Sequence, residues 1–494
     1  MLGAGAAGIT LPRRAWAQEA VPGPGPYGPI DDAAVNADGV VVPPGFTVRR
    51  IANALEPVGG TDHVWHKFPD GAACFPTPAG GWNYVCNSEV FLPRGLGGVG
   101  AIEFDAAGEI IAARSILTGS SGNCAGGPTP WGTWLSCEEF DTTGPDVENE
   151  PQLAGMVWET DPTGSTEPRA LPAMGLFQHE AAAVDPIAEV VYLTEDQPDG
   201  RLYRYRPDAY PVLDSGVLET AVVNGDGAVG WAQVPDPSAA TGSVRYQVPE
   251  AAVFQGGEGI WYHDDVVFFS TKHDGRIHAI HLSEQRYELI YDQLSFERPV
   301  LDKVDNVTVH PGSGDVYVAE DRSDPLELVI ISPEREVAPF LRLLGDLHDR
   351  SEVTGPCFSP DGSRLYFSSQ RAANNGVTFE VSGPFRGQDA LRPTPAPAPS
   401  PTPTTAPAPP TNEPEAPAER PESDESVVTP SPTATISGAT DQAAVLRENP
   451  DDGKVDGAGI DAATVAGIGF GVAAAGGLAA WAVRRRSERP PEEP

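Results

Sequence analysis

The sequence predicts an all-β body, a six-bladed β-propeller, followed by a Pro-rich stalk and one transmembrane helix. Three observations predict this class: β-rich runs that recur along residues 21–385, a proline-dense stretch after them, and an uncharged segment near the C-terminus. The body has no sustained helical periodicity, and turns rich in Gly, Asp and Pro separate its runs. With 494 residues, 40% of them hydrophobic, the chain can hold one large all-β domain and accessory segments.

The β-rich runs repeat six times, and each ends in polar or charged residues. They read GWNYVCNSE, GTWLSCEE, EVVYLTED, DVVFFSTK, DVYVAED and SRLYFSSQR. A residue at the polar end of each run can be paired with a residue at the start of the preceding strand. The six pairs are Cys74 with Glu89, Cys124 with Glu139, Glu180 with Glu195, Glu258 with Lys272, Asp305 with Glu320, and Gly355 with Gln370. The separation is fifteen residues in five pairs and fourteen in one, which suits a hairpin whose open end holds both members. Six hairpins at spacings of roughly 50 to 80 residues indicate a propeller.

The hairpin ends would bring several acids and one cysteine to a single mouth of the propeller: Cys124, Glu139, Glu180, Glu195, Glu258, Asp305 and Glu320. So many carboxylates in a partly buried site cannot all stay ionised, so some are protonated or cations lie among them. Carboxylate oxygens suit Ca²⁺, whereas a thiolate at Cys124 indicates a transition metal, with iron favoured over magnesium. For any single residue, the alternative is a strand-end acid that points to solvent.

The stretch around Cys124 is the most unusual in the chain. Gly126 and Gly127 would let the backbone approach a ligand, and strand alternation would send only one of Glu138 and Glu139 inward, with the register favouring Glu139. The stretch NCAGGPTPWGTWLSCEE resembles the signature of the PhoX family of alkaline phosphatases. FQHEAAAVDP, GGEGIWY, DNVTVHP and GVTFEVSGPF are similar to other segments of that family in the same order, so the resemblance covers about Asn87 to Phe385.

This resemblance implies a six-bladed propeller that is exported by the twin-arginine route and cleaves phosphate esters with a mixed Fe³⁺ and Ca²⁺ cofactor. Residue by residue, it implies that Cys124, Glu180 and Glu258 bind iron. It further implies that Glu139, Asp305 and Glu320 bind calcium, with Asn87 and Glu89 nearby. The hypothesis is therefore metal-dependent hydrolysis of small-molecule phosphate esters, in which metals polarise the phosphoryl oxygens and a metal-bound oxo or hydroxide attacks in line.

The pair Gly256 and Gly257 departs from the resemblance, because some family members carry a basic residue just ahead of the glutamate found here as Glu258. Lys272 and Arg371, both at strand ends, are the catalytic candidates that would supply the positive charge, and a salt bridge to a mouth carboxylate is the alternative for each. Two other function classes stay open. One is a calcium-dependent propeller such as a lactonase, and the other is a tethered binding module without catalysis.

The two ends of the chain predict its location. Residues 1–17 end in Ala15-Trp16-Ala17, typical of a signal-peptide cleavage site, and we expect a truncated start because a basic n-region is missing. Residues 386–458 form the Pro-rich linker, the uncharged residues 462–483 the transmembrane helix, and the arginine-led residues 484–494 a cytoplasmic tail. We therefore expect an extracytoplasmic, cell-surface monomer anchored by one C-terminal helix. The net charge of −38 argues against nucleic acid as a partner.

The five cysteines divide into three groups in this interpretation. Cys124 is the thiolate ligand. Cys74 and Cys86 flank one hairpin and could pair outside the cell, whereas Cys137 and Cys357 are expected to be buried core thiols.

Overall fold

The computed structural model describes residues 19–91, 94–139 and 155–391. These residues form six sheets of four or more strands each, antiparallel throughout except that β1 (Val21–Pro22) pairs in parallel with its neighbour. The first strands of the six sheets contact one another in chain order, and the last of them contacts the first, which closes a ring. The predicted all-β, six-bladed propeller is confirmed.

The strands follow one another blade by blade. Three strands precede the first blade: β1 Val21–Pro22, β2 Val40–Val41 and β3 Thr47–Asn53. Blade one contains β4 Pro69–Pro76, β5 Trp82–Ser88, β6 Gly97–Phe104 and β7 Ile110–Ser120. Blade two contains β8 Asn123–Pro128, β9 Trp134–Glu138, β10 Val157–Thr160 and β11 Arg169–Ala170. Blade three contains β12 His179–Asp185, β13 Val190–Glu195, β14 Leu202–Ala209, β15 Val212–Val223 and β16 Val229–Gln233.

The remaining blades repeat this order. Blade four contains β17 Gly257–His263, β18 Val266–Thr271, β19 Arg276–His281 and β20 Arg286–Asp292. Blade five contains β21 Val304–Val309, β22 Val316–Glu320, β23 Leu326–Ile331 and β24 Glu336–Leu343. Blade six contains β25 Val353–Phe358, β26 Arg364–Ser369 and β27 Val377–Ser382. Helical structure in the described residues consists of α1 Gln388–Leu391 and short 3₁₀ turns at Asp32–Ala34, Pro172–Met174, Val244–Tyr246, Gln293–Ser295, Asp346–His348 and Ala372–Asn374.

The ring is closed by joining the two ends of the propeller body in one sheet. Strand β3 pairs with β27 from Asn53 opposite Val377 to Thr47 opposite Ser382, so blade six contains strands from both ends. Strands β1 and β2 pair with β24 of blade five. An ion pair between Arg49 and the buried Glu380, 2.9 Å apart, spans the β3–β27 ladder. Closure therefore depends on a ladder and buried charge, not on a covalent bond.

The core lies between neighbouring blades. Inner strands are buried on both sides, and all seven residues of β12 are buried, which explains why its central residues, Ala181 to Val184, are apolar or small without alternation. One interblade cluster packs Leu135 and Cys137 of blade two against Val191 and Leu193 of blade three. Fully burying each such large apolar side chain contributes about 1.5–3 kcal/mol.

The predicted terminal segments fall mostly beyond this body. The signal peptide at 1–17, the transmembrane helix at 462–483, the tail at 484–494 and the linker from residue 392 onward lie outside the described residues. Within 19–91, 94–139 and 155–391, no helix combines the length and the apolar character needed to cross a bilayer. The propeller body continues into the first residues of the predicted linker, because Arg386 Nε donates to the Asp315 carboxylate at 2.6 Å and α1 follows.

Candidate functional site

A β-bulge recurs at the same place in all six inner hairpins. The ladder between the first and second strands shifts its register between residues 69 and 72, 123 and 126, 179 and 182, 257 and 260, 304 and 307, and 354 and 357. A bulge leaves a residue unpaired and re-aims its side chain. In five of the six blades, the bulge contains an acid or a thiol, and these residues are Asp70, Cys124, Glu180, Glu258 and Asp305.

A second set of residues lies one position beyond the last paired residue of each second strand. The last pairs join residues 69–88, 123–138, 179–195, 257–271, 304–320 and 353–369. The following residues are Glu89, Glu139, Asp196, Lys272, Asp321 and Gln370. The bulge residues and these strand-end residues together line one mouth of the propeller, which we call the acidic mouth.

Potential ligand atoms of the acidic mouth, to which Glu352 belongs as well, come within 4.8 Å of one another in four groups. The groups are Asp70–Glu89–Cys124, Cys124–Glu139–Glu180, Glu180–Glu258–Asp305 and Asp305–Asp321–Glu352. Each group shares a member with the next. The donors therefore form one continuous chain from blade one, through blades two to five, to Glu352 just ahead of blade six.

Burial makes ionisation of these groups unfavourable. Burial first, and neighbouring carboxylates second, raise the pKa of Asp70 and Glu180 well above their ordinary values, and that of Asp305 to about 7 despite the ammonium of Lys272. The pKa of the Cys124 thiol is raised well above its usual range for the same two reasons. In the absence of cations, burial and mutual repulsion therefore oppose ionisation of Asp70, Glu180 and the Cys124 thiol.

The hydrogen bonding of the acidic mouth is incomplete in a way that fits metal binding. Glu180 is 0% exposed, and neither of its carboxylate oxygens has a hydrogen-bond partner among the described residues. The same holds for Asp70 Oδ1. A buried polar group without a partner costs about 1–3 kcal/mol. Cations bound by these oxygens would remove that cost, so the residues present fit a multinuclear metal site.

Two positively charged side chains, those of Lys272 and Arg371, lie at two edges of the acidic mouth. Lys272 Nζ lies 2.5 Å from Glu258 Oε1 and 3.8 Å from Asp196 Oδ2. Arg371 pairs with Glu352 and lies 3.6 Å from Glu89. Both catalytic candidates from the sequence are thus at the mouth, and in this structure both contact its carboxylates, as the salt-bridge alternative expects.

In places, inner strands of neighbouring blades approach each other so closely that glycine is required. A Cβ on Gly127 would lie 1.8 Å from the carbonyl oxygen of Ala182 in blade three, and one on Gly259 would lie 2.3 Å from the backbone nitrogen of Val307. Beneath the acidic mouth, these strands leave a cavity of only about 20 Å³, room for about one water molecule. The expectation that Gly127 serves ligand approach is therefore corrected: its absent side chain makes room for the neighbouring blade.

Two predicted metal ligands, Glu195 and Glu320, are not in the four groups, because the observed register of their hairpins differs by one residue from the predicted one. Glu195 lies opposite His179 in the ladder, and its carboxylate accepts hydrogen bonds from Tyr203 Oη at 2.9 Å and from Arg245 at 3.3 Å. Glu320 caps the backbone N–H groups of Asp302 and Glu327 at 2.9 and 3.0 Å. The next residue in each case, Asp196 or Asp321, occupies the strand-end position instead, since a one-residue slip sends a side chain to the opposite face.

Asn87 is also absent from the four groups, and both polar atoms of its side-chain amide are hydrogen-bonded to other residues. Its Nδ2 donates to the backbone carbonyls of Cys124 and Ala125 at 3.0 and 2.7 Å. Its Oδ1 accepts from Trp134 and Ser136 at 2.8 and 2.9 Å. Asn87 therefore holds the bulge that carries Cys124 and is a positioning residue in this structure. The other predicted metal residues, Cys124, Glu139, Glu180, Glu258, Asp305 and Glu89, are brought together.

Sequence reasoning missed Asp70, Asp321 and Glu352. Asp70 takes the position predicted for Cys74, which lies opposite Tyr84 farther from the mouth. A signal for Asp70 was present: a donor followed directly by a small residue, as in Asp70-Gly71, Cys124-Ala125, Glu180-Ala181 and Glu258-Gly259. The longer first hairpin, with a separation of nineteen residues from Asp70 to Glu89, concealed it.

The chain matches one known family. The family model described as alkaline phosphatase PhoX matches residues 112–293. No curated protein matches the chain. The predicted resemblance to the PhoX family is confirmed, and with it the prediction of a PhoX-like phosphatase enzyme.

Solved structures support the fold. Pseudomonas fluorescens PhoX in complex with vanadate, a transition state analogue, matches with a TM-score of 0.59 and 15% identity, covering 74% of this chain and 97% of that one. A gluconolactonase from Xanthomonas campestris matches with a TM-score of 0.39 and 12% identity, covering 73% of this chain and 99% of that one. At these identities, the first match supports the propeller fold and the second carries no argument.

Proposed function

We propose that this chain, which matches the PhoX alkaline phosphatase family over residues 112–293, is a metal-dependent enzyme that hydrolyses small-molecule phosphate esters at its acidic mouth. One observation carries the proposal: an unbroken chain of buried and half-buried donors, with the carboxylate of Glu180, which has no hydrogen-bond partner among the described residues, at its centre. Cations held there would supply Lewis acidity toward the phosphoryl oxygens and would activate water for attack.

The donors divide into a part with sulfur and a part with oxygen alone. Cys124 belongs to the two groups nearest blades one and two, whereas the groups Glu180–Glu258–Asp305 and Asp305–Asp321–Glu352 contain only carboxylates. Thiolate with carboxylate suits a transition metal, and carboxylate oxygens alone suit Ca²⁺. We therefore propose Fe³⁺ on the Cys124 and Glu180 side and Ca²⁺ on the Asp305 side.

The basic side chains that would bind the phosphoryl group lie on the side of the acidic mouth where the donor groups contain only carboxylates. Burial opposes the charge on Lys272, but Glu258 and Asp196 outweigh it and raise its pKa well above the ordinary value. His273 follows it, is 38% exposed, and lies against Gly256, where an added Cβ would be only 3.0 Å from the ring. With Arg371 in blade six, these residues provide an arc of cationic and N–H groups for phosphoryl oxygens.

The calcium-dependent lactonase and the binding module remain the competing classes. A carboxylate-only site would explain the acids but would leave the thiol of Cys124, 3.6 Å from Asp70 and 4.0 Å from Glu89, without a role. Elemental analysis of the purified full-length chain, combined with hydrolysis of a simple phosphate ester and of a lactone, distinguishes them. We expect iron with calcium and phosphatase activity. Calcium alone with lactonase activity, or neither activity with metals bound, would refute the proposal.

We also propose that the propeller acts outside the cytoplasm, anchored by residues 462–483. The support is the uncharged composition of that segment and the arginines after it. Protease treatment of intact cells should release an active body of about 40 kDa, at roughly 110 Da per residue. A body that stays protected until the cells are lysed would show that the orientation is wrong.

A further inference from the structure

Two cysteines face each other across the seam between the first and the last blade. Cys74 lies in β4 of blade one and Cys357 in β25 of blade six, which are the inner strands of those blades. The strands run side by side from the mouth, because Thr354 Oγ1 donates to the carbonyl of Pro69 at 2.7 Å. One residue on, a Cβ on Gly355 would lie 3.1 Å from the Cβ of Ala72. Two residues further along each strand lie Cys357 and Cys74.

The cross-strand partners of the two cysteines confirm this placement. Tyr84 lies opposite Cys74, and Tyr366 lies opposite Cys357. The centroids of the two tyrosine rings are 5.1 Å apart. Both cysteines pack in the same apolar cluster, with Cys357 only 1% exposed and Cys74 partly exposed. The thiols therefore share one enclosed space between two blades.

The third thiol of this cluster, Cys86, is turned away. It lies opposite Ala72, not opposite Cys74. Its Sγ donates to the backbone carbonyls of Asp70 and Asn87 at 3.4 and 3.5 Å, toward the mouth. The sequence alternative of a Cys74–Cys86 pair is thus not favoured by the structure, in which all five cysteines are free thiols.

We propose that Cys74 and Cys357 form a reversible disulfide that joins blade one to blade six. The oxidant is a disulfide, either a small molecule or one carried by a protein. The thiolate of Cys74, the more accessible partner, attacks one sulfur of the oxidant and releases its first thiol. The thiolate of Cys357 then attacks Cys74 Sγ and releases the second. The two cysteines lose two protons and two electrons, and the oxidant is reduced to two thiols.

The bond would add a covalent link to a ring that the fold closes only by non-covalent contacts. A link between residues 74 and 357 places the inner strands of all six blades in one loop, and stabilisation by a cross-link grows with loop length. Burial, followed by a hydrogen bond from and repulsion by Cys357, raises the pKa of the Cys74 thiol well above its ordinary value. Formation should therefore be slow at neutral pH and accelerate as the pH rises, because the thiolate is the reacting form.

The test is a thiol count on the full-length chain. The protein is incubated with oxidised glutathione at alkaline pH, alkylated, denatured with a chelator present, and digested for peptide mapping. We expect two of the five thiols to be lost, a peptide linking residues 74 and 357, and a rise in Tm on the order of 5 °C that dithiothreitol reverses.

Three variants make the result decisive. In Cys74→Ser and in Cys357→Ser, one of the two partners is missing. We therefore expect oxidation to form no intramolecular disulfide in either variant and to cause no rise in Tm. Cys86→Ser is the matched control from the same cluster and should still lose two thiols. Should Cys357→Ser fail to fold because that site is fully buried, Cys74→Ser at the partly exposed site carries the test. Five persistent thiols after prolonged oxidation, or a bridge to Cys86, would overturn the proposal.

Discussion

Replacing Cys124 by serine should separate metal retention from fold stability. The Cys124 side chain is 8% exposed and lies 3.6 Å from Asp70 Oδ2 and 4.0 Å from Glu89 Oε1. A serine hydroxyl in its place would lie beside carboxylates and not in an apolar cluster, so the cost to the free energy of unfolding should be under about 1 kcal/mol. The lost thiolate, however, removes the one soft donor from two of the four groups.

The expected loss of iron affinity can be bounded from below. Removing even an outer partner of a metal ligand weakens binding by about 10–100-fold. Loss of the ligand itself should therefore cost at least about 100-fold, or roughly 2.7 kcal/mol. Calcium should be largely retained, because the groups Glu180–Glu258–Asp305 and Asp305–Asp321–Glu352 contain no sulfur. Hydrolysis should decrease together with the iron content.

Cys137→Ser is the matched control from the adjoining strand. Cys137 is 0% exposed and packs in the apolar cluster with Leu135 and Phe177. A buried hydroxyl there costs about 1–3 kcal/mol, which corresponds to a decrease in Tm of about 2–6 °C, with iron content per folded protein unchanged. Iron and calcium are measured by elemental analysis, unfolding by calorimetry, and visible absorbance reports ferric thiolate. Full phosphatase activity and full iron in Cys124→Ser would refute the iron assignment.

Three further predictions test the register, the positive charge and the titration of the acidic mouth. Asp321→Asn should lower the calcium content with little change in Tm. Glu320→Gln should keep the calcium but lower the free energy of unfolding by about 1–3 kcal/mol, since one capped N–H loses its acceptor. Equal calcium loss in both variants would contradict the register. Lys272→Met should lower kcat/KM for a phosphate ester about 10–100-fold, and Lys303→Met, at a site that contacts the backbone of Arg322, should stay near wild type. In metal-free protein, the raised carboxylate pKa values, with Asp305 at about 7, mean that the folded state binds more protons than the unfolded state above about pH 4. That contribution to stability is full below about pH 4 and is lost as the pH rises through about 7, so Tm should fall between pH 5 and pH 8 without metals; a Tm that rises over that range would show that the acids are ionised in the folded protein.

Local patterns along the chain were enough to predict the architecture and to bring most of the potential donors of the acidic mouth together. Turn residues between short β-rich runs identified six hairpins, and the polar residue at each hairpin end identified Cys124, Glu139, Glu180, Glu258 and Asp305. The architecture and this placement follow from local patterns because strand pairing and turn chemistry act over a few residues. The metals and the location of the enzyme stay proposals.

Which residues face the acidic mouth, by contrast, depended on interactions between distant parts of the chain. Whether Glu320 or Asp321 faces the mouth is decided by one residue in a hairpin and by a bulge, because side chains alternate faces with a period of two. Glu352 joins through an isolated bridge opposite Asp321, and Cys357 meets Cys74 only because the last blade closes on the first. Such contacts join residues far apart in sequence, so no local pattern records them, and only the closed ring brings them together.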